Sequence, residues 1–144
     1  MKAIALFSGG LDSTLSIKLI TNQGVGVTAL YFYNPLSRYD KNKEEILSNK
    51  ARELGADFKS IYLGDNFIEI LKNPKFGYGK NLNPCIDCKI LMLKIAKGLM
   101  QQLGASFVIT GEVIAQRPKS QHRETLKLIE KHAGLEGFVV RPLS

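Results

Sequence analysis

The sequence predicts an α/β domain, a three-layer sandwich in which a parallel five-stranded sheet carries helices on both faces. Three observations predict it. Short runs rich in β-branched and aromatic residues alternate along the chain with longer segments whose apolar residues recur at helical spacing. The short runs are themselves nearly all apolar, as strands covered on both faces must be. Glycine stands just past the helical segments, at Gly24, Gly55, Gly104 and Gly134, where a helix stop needs it. With 144 residues the chain forms one domain over 1–144 with a real core, and 44% hydrophobic and 23% charged residues place it among ordinary globular proteins.

Taken in order, Lys2–Phe7 reads as a buried strand and Ser13–Gln23 as a helix with Leu15, Leu19 and Ile20 on its inner face. Val25–Phe32 is the second strand, ending at Tyr33-Asn34-Pro35, where proline holds Asn34 extended or in a turn. Lys41–Leu54 is a charged amphipathic helix with Ile46, Leu47, Ala51 and Leu54 inside, and Phe58–Leu63 is the third strand. Asp65–Lys72 is a short helix, followed by a long loop through Pro84, of a length usually reserved for function. Asp87–Leu103 is the most apolar helix, and Phe107–Thr110 the fourth strand, running into Gly111-Glu112. A basic loop through Gln121, a helix over Glu124–His132 and a fifth strand around Phe138–Arg141 complete the pattern.

The apolar run at the N-terminus is too short for a signal peptide and no stretch approaches membrane-spanning length, so the expected address is cytoplasmic, with no membrane partner. Cys85 and Cys88 are too few and too close for a disulfide framework; in a reducing compartment they point to metal binding or sulfur chemistry. The formal charge of +7 permits a polyanionic partner such as RNA without requiring one.

In such sheets ligands sit outside the carboxyl ends of the strands. The stretch Ser8-Gly9-Gly10-Leu11-Asp12-Ser13 lies there, between the first strand and the first helix. Strand, glycine turn and helix N-terminus together make a phosphate cradle: glycine lets the backbone come close, and unpaired N–H groups with the helix dipole face the anion. Ser8, Ser13 and Thr14 add hydroxyls, and the Asp12 carboxylate suits Mg²⁺. The stretch is neither a Walker A loop nor G-x-G-x-x-G. It resembles the S-G-G-x-D-S signature of the PP-loop ATP pyrophosphatases over all six residues. That resemblance implies an adenine-nucleotide alpha-hydrolase-like, Rossmann-like fold, cleavage of ATP between its α and β phosphates, and adenylation of a substrate. By the same resemblance Ser8, Gly9, Gly10, Asp12 and Ser13 hold pyrophosphate and Mg²⁺, while Leu30, Tyr31 and Gly111 border the adenine.

Cys85-Ile86-Asp87-Cys88-Lys89 reads as a helix start with both thiols on its first turn. There the dipole and Lys89 would favour thiolate. Two thiols are also half of a tetrahedral Zn²⁺ or iron–sulfur site, and two buried structural cysteines are a third reading. The spacing Asn83-Pro84 to Cys88 resembles the tRNA 2-thiouridylases, which puts Cys88 at their catalytic cysteine. Leu91–Lys94, Gly104–Glu112, Gln116–Gln121 and Val140–Leu143 resemble the tRNA 4-thiouridine synthetases. Those enzymes carry an RNA-binding region before this domain and continue past the Arg-Pro-Leu segment, so the domain is expected to lack its C-terminal end, or to work with a separate RNA-binding subunit or as a homodimer.

The resemblance implies an ATP-dependent sulfurtransferase that thiolates uridine in tRNA. Asp12 would serve adenylation, and Cys88 would carry a persulfide loaded by a cysteine desulfurase or sulfur carrier protein. Cys85 would resolve the disulfide, and Arg117, Lys119 and Gln121 would meet substrate or pyrophosphate. A PP-loop amide-forming ligase is the alternative from another reaction class, and a metal- or cluster-bridged dimer pooling four cysteines is the alternative without thiolation activity of its own.

Overall fold

A computed structural model describes residues 1–35, 40–75, 85–112 and 123–143. Within them the elements run β1 (Lys2–Leu6), α1 (Leu11–Thr21), β2 (Gly26–Tyr33), α2 (Lys41–Glu53), β3 (Ala56–Tyr62), α3 (Asp65–Lys72), α4 (Cys85–Leu103), β4 (Phe107–Ile109), α5 (Arg123–Ala133) and β5 (Val139–Val140). All strand pairs are parallel, in the order β3-β2-β1-β4-β5, with Ala3 opposite both Val27 and Phe107. The expected five-stranded α/β architecture is therefore the one observed.

The strand order reverses at β1. Strands β2 and β3 are added on one side and β4 and β5 on the other, so the crevice at the end of β1 is a topological switch point, where α/β sheets place their ligands. One face buries Ala3, Ala5 and Ala29 beneath Ile17 and Ile20 of α1 and Leu47 and Ala51 of α2. Alanine in the sheet lets those two helices come close. The other face buries Ile4, Leu30 and Val108 beneath Ile90 and Leu93 of α4 and Ile129 of α5. Each such fully buried aliphatic side chain contributes about 1.5–3 kcal/mol.

Three expectations need correction. The inner face of α1 is Ser13, Ser16, Ile17 and Ile20, while Leu15 and Leu19 are 43% and 44% exposed. The loop before the helix sets its rotation: Ser13 must turn inward for its hydroxyl to reach Ser8 and the Gly10 carbonyl, and Ile17 and Ile20, one and two turns on, then take the inner positions. In α2 the same holds for Ile46, which is exposed because its neighbour Leu47 is the buried residue. The strands are also not uniformly apolar, since β3 is a sheet edge and exposes Asp57 and Lys59. Charge on an edge strand discourages pairing with another chain. Boundaries shift modestly: β3 begins at Ala56, α4 at Cys85, and β5 is Val139–Val140 alone. No described helix is long and apolar enough to cross a membrane.

Candidate functional site

Gly10 is the N-cap of α1, and no side chain caps the helix. The loop before it closes on itself instead. The Gly10 N–H donates to Ser8 Oγ at 3.3 Å, the two serine hydroxyls share a 3.2 Å hydrogen bond, and Ser13 Oγ donates to the Gly10 carbonyl at 3.2 Å. Each hydroxyl has one proton, so Ser8 is the donor to Ser13 and the ring begins and ends at Gly10. The Ser8 N–H adds a 3.3 Å bond to Ser13 Oγ, and Thr14 Oγ1 donates to the Gly10 carbonyl at 2.7 Å. These contacts engage the Gly10 carbonyl and the N–H groups of Ser8 and Gly10. The first N–H groups of α1 and its positive dipole end are left without a side-chain cap, beside the half-buried Asp12 in the first turn.

Gly9 has φ +85°, open to glycine at no cost. A Cβ there would also stand 2.4 Å from Leu47 Cδ2, so α2 lies directly against the turn. From the same face of α2, Lys50 Nζ donates to the Gly9 carbonyl at 2.8 Å.

On the other side of the loop, a Cβ on Gly111 would meet Ser13 N at 2.7 Å and the Asp12 carbonyl carbon at 2.9 Å. The end of β4 and the start of α1 thus pack backbone to backbone. Next to it, Glu112 is buried and accepts from Lys89 Nζ, from Thr110 Oγ1 at 2.9 Å and from Arg141 Nε at 3.2 Å. Arg141 reaches on to Glu130 at 2.5 Å. Among the described residues, two carboxylates and two cations from α4, α5 and the ends of β4 and β5 therefore meet at one edge. The Lys89 ammonium, which the sequence pairs with the thiols, is bound to Glu112.

Cys85 and Cys88 lie in the first turn of α4, with Cys88 half-buried. Asp87, between them, is buried and accepts the Lys75 N–H at 3.2 Å, tying the helix start to the segment after α3. A connected path runs from the first turns of α4 to the loop: Lys89, next in sequence to Cys88, binds Glu112, Glu112 follows Gly111, and Gly111 packs on Ser13. Leu30 is fully buried in β2 with its carbonyl accepting the Phe7 N–H. Tyr31 is half-buried between Tyr33 and Phe58, with Lys43 over its ring. Arg117, Lys119 and Gln121 lie outside the described residues. A shallow hollow of about 420 Å³ lined by Lys18, Thr21, Glu53 and Gly55 opens at the opposite edge of the sheet, away from these groups.

Sequence reasoning missed Lys50 and Leu47 as parts of the loop, and Glu130 as part of the charge cluster. The inward spacing of Leu47, Lys50 and Ala51 was the available signal for the first two.

The donor set fits a nucleotide triphosphate with Mg²⁺: a glycine turn, uncapped N–H groups, two hydroxyls and a carboxylate that suits a hard cation. Among the described residues no three His, Cys, Asp or Glu side chains converge. The family model described as thiamine biosynthesis protein (ThiI) matches residues 1–144. The chain belongs to this family. It is 28% identical over 144 residues to a probable tRNA sulfurtransferase of Lysinibacillus sphaericus, covering 99% of this chain and 34% of that one. It is 32% identical over 121 residues to the tRNA-specific 2-thiouridylase MnmA of Helicobacter hepaticus, covering 77% of this chain and 34% of that one. A solved 4-thiouridine synthetase–RNA complex with bound ATP matches with a TM-score of 0.72 and 25% identity, over 99% of this chain and 36% of that chain. The chain spans about a third of the length of these curated relatives.

Proposed function

We propose that this ThiI-family chain is the ATP-using module of a tRNA sulfurtransferase, making thiouridine. The observation that carries the reading is the packing of Gly111 on Ser13 and the pairing of Lys89 with Glu112, which together seat the Cys88 helix beside a phosphate-shaped loop. In this reading ATP lies with its phosphates on the first turn of α1 and its adenine toward the ends of β2 and β4, near Leu30, Tyr31 and Gly111. Ser8, Gly9, Gly10 and Ser13 receive the pyrophosphate. Asp12 holds Mg²⁺, which when bound neutralises phosphate charge.

The uridine carbonyl oxygen attacks the α-phosphorus, forming an adenylated base and releasing pyrophosphate into the loop. Positioning and charge neutralisation by the uncapped N–H groups carry this step. The terminal sulfur of a Cys88 persulfide then attacks the activated ring carbon and AMP leaves with the C–O bond electrons. Cys85 thiolate attacks the Cys88 sulfur, so that a Cys85–Cys88 disulfide forms and the new sulfur stays on the base. A cellular thiol reductant restores both thiols, and a cysteine desulfurase or sulfur carrier reloads Cys88. No step passes through zinc or a cluster. Arg117, Lys119 and Gln121 are proposed contacts to substrate or pyrophosphate, and tRNA is the proposed partner. The test is incubation with ATP, Mg²⁺, cysteine with a cysteine desulfurase as the persulfide donor, a thiol reductant and bulk tRNA, followed by mass spectrometry of the nucleosides. ATP-dependent thiouridine is the expected product; tRNA unchanged beside active ATP–pyrophosphate exchange would overturn the sulfur half.

A further inference from the structure

The ammonium of Lys50, 2.8 Å from the Gly9 carbonyl, belongs to no motif, and it is the described cation seated directly on the phosphate loop. We propose that Lys50 is a positioning residue of that loop, orienting the Gly9–Gly10 peptide so that its N–H faces the bound pyrophosphate; the proposal rests on the nucleotide reading above. No peptide in the described chain is cis, so the Gly9 carbonyl and the Gly10 N–H point in opposite directions across one plane. A cation holding the carbonyl on the α2 side therefore turns the N–H to the loop side.

There, among the described residues, the Gly10 N–H donates to Ser8 Oγ at 3.3 Å. That distance lies at the long end for such a bond, and an anion offers the better acceptor. Glycine at φ +85° makes this peptide one of the easiest in the chain to flip. A flipped peptide would aim its carbonyl at the phosphate and repel it. Lys50 opposes the flip and polarises the peptide, strengthening the N–H as a donor. Leu47, one turn earlier on α2, closes on the same glycine, so one helix face clamps both the α-carbon and the carbonyl.

The experiment measures binding of Mg²⁺-pyrophosphate and Mg²⁺-ATP by calorimetry and the kinetics of ATP–pyrophosphate exchange, with melting of the unliganded proteins alongside, for wild type, Lys50→Met and Lys50→Arg. Lys50→Met is expected to bind pyrophosphate at least about tenfold more weakly, with ATP KM raised more than kcat is lowered, and Lys50→Arg to stay within about threefold of wild type. Unchanged binding by Lys50→Met overturns the proposal. So does equal weakening in both variants with lowered melting, which would mean packing rather than charge. Should the Met variant fail to fold, Lys50→Gln carries the same comparison. A wild-type protein that binds neither probe fails earlier, at the nucleotide reading itself.

Discussion

The Ser8–Ser13 loop and the cluster around Glu112 meet where Gly111 touches Ser13, and they are held in opposite ways. Besides the Lys50 ammonium on the Gly9 carbonyl at 2.8 Å and the Thr14 hydroxyl on that of Gly10 at 2.7 Å, the loop closes on itself through neutral hydrogen bonds among residues two to five apart in sequence, at 3.2–3.3 Å. Each is long and individually weak, so an anion can displace or reorder them. The cluster joins charges separated by 23, 29 and 11 residues, all from buried or half-buried side chains. Buried charges tolerate no loss of a partner. One region is built to exchange ligands, and the other to hold strand ends and helix starts in register while it does.

The sharpest way to break that contrast is at Asp12. Asp12→Ala is expected to lower ATP–pyrophosphate turnover at least about 100-fold while moving the melting temperature little, because Asp12 is only half-buried, in the first turn of α1. Retained turnover would remove Asp12 from the nucleotide site. Cys88→Ser is expected to spare adenylation and stop sulfur transfer, separating the two chemical halves. If the Cys88→Ser enzyme still made thiouridine, another group would have to carry the sulfur.

The cluster should respond in stability first. Glu112→Gln leaves Lys89 and Arg141 with one carboxylate, Glu130, between them, and is expected to cost about 3 kcal/mol, or roughly 10 °C of melting temperature. A shift under about 2 °C, well below that scale, would mean the lost charge is compensated by water and Glu130, and that the cluster does not hold the edge together.

Much of this molecule was readable in the order of its residues, and the unreadable parts share a cause. Parallel strands must be apolar and helix stops favour glycine, so the sheet and its layers followed from local pattern. The phosphate turn was readable because it is contiguous. Lys50 was not, since a lysine on an amphipathic helix looks solvated until Gly9, 41 residues away, is placed beside it. The rotation of α1 was misjudged because the helix carries two apolar stripes, Leu11-Leu15-Leu19 and Ile17-Ile20, and hydrophobicity alone cannot choose between them. Ser13 chose.

Two smaller effects follow from that rotation. Gly9→Ala combines a positive φ with a 2.4 Å approach to Leu47 Cδ2. The strain is expected to cost about 1–3 kcal/mol. Measured against a Leu47→Ala background, Gly9→Ala should lose only the packing share of its cost, since the φ penalty stays; no cost in that background would show that Leu47 alone excluded the side chain.

The smallest effect tests the choice of stripe itself. Leu19 is 44% exposed and Ile17 is fully buried, although the two sit two positions apart on one helix. Leu19→Gln is expected to change stability by no more than about 0.5 kcal/mol, in the range of ordinary surface substitutions. Ile17→Ala removes a core side chain and should cost about 2–5 kcal/mol. Chemical denaturation of both variants reads the difference directly. Were the two costs equal, α1 would be turned by roughly a third of a revolution, Ser13 would leave Ser8 and the Gly10 carbonyl, and the hydrogen-bonded ring that shapes the phosphate turn could not close.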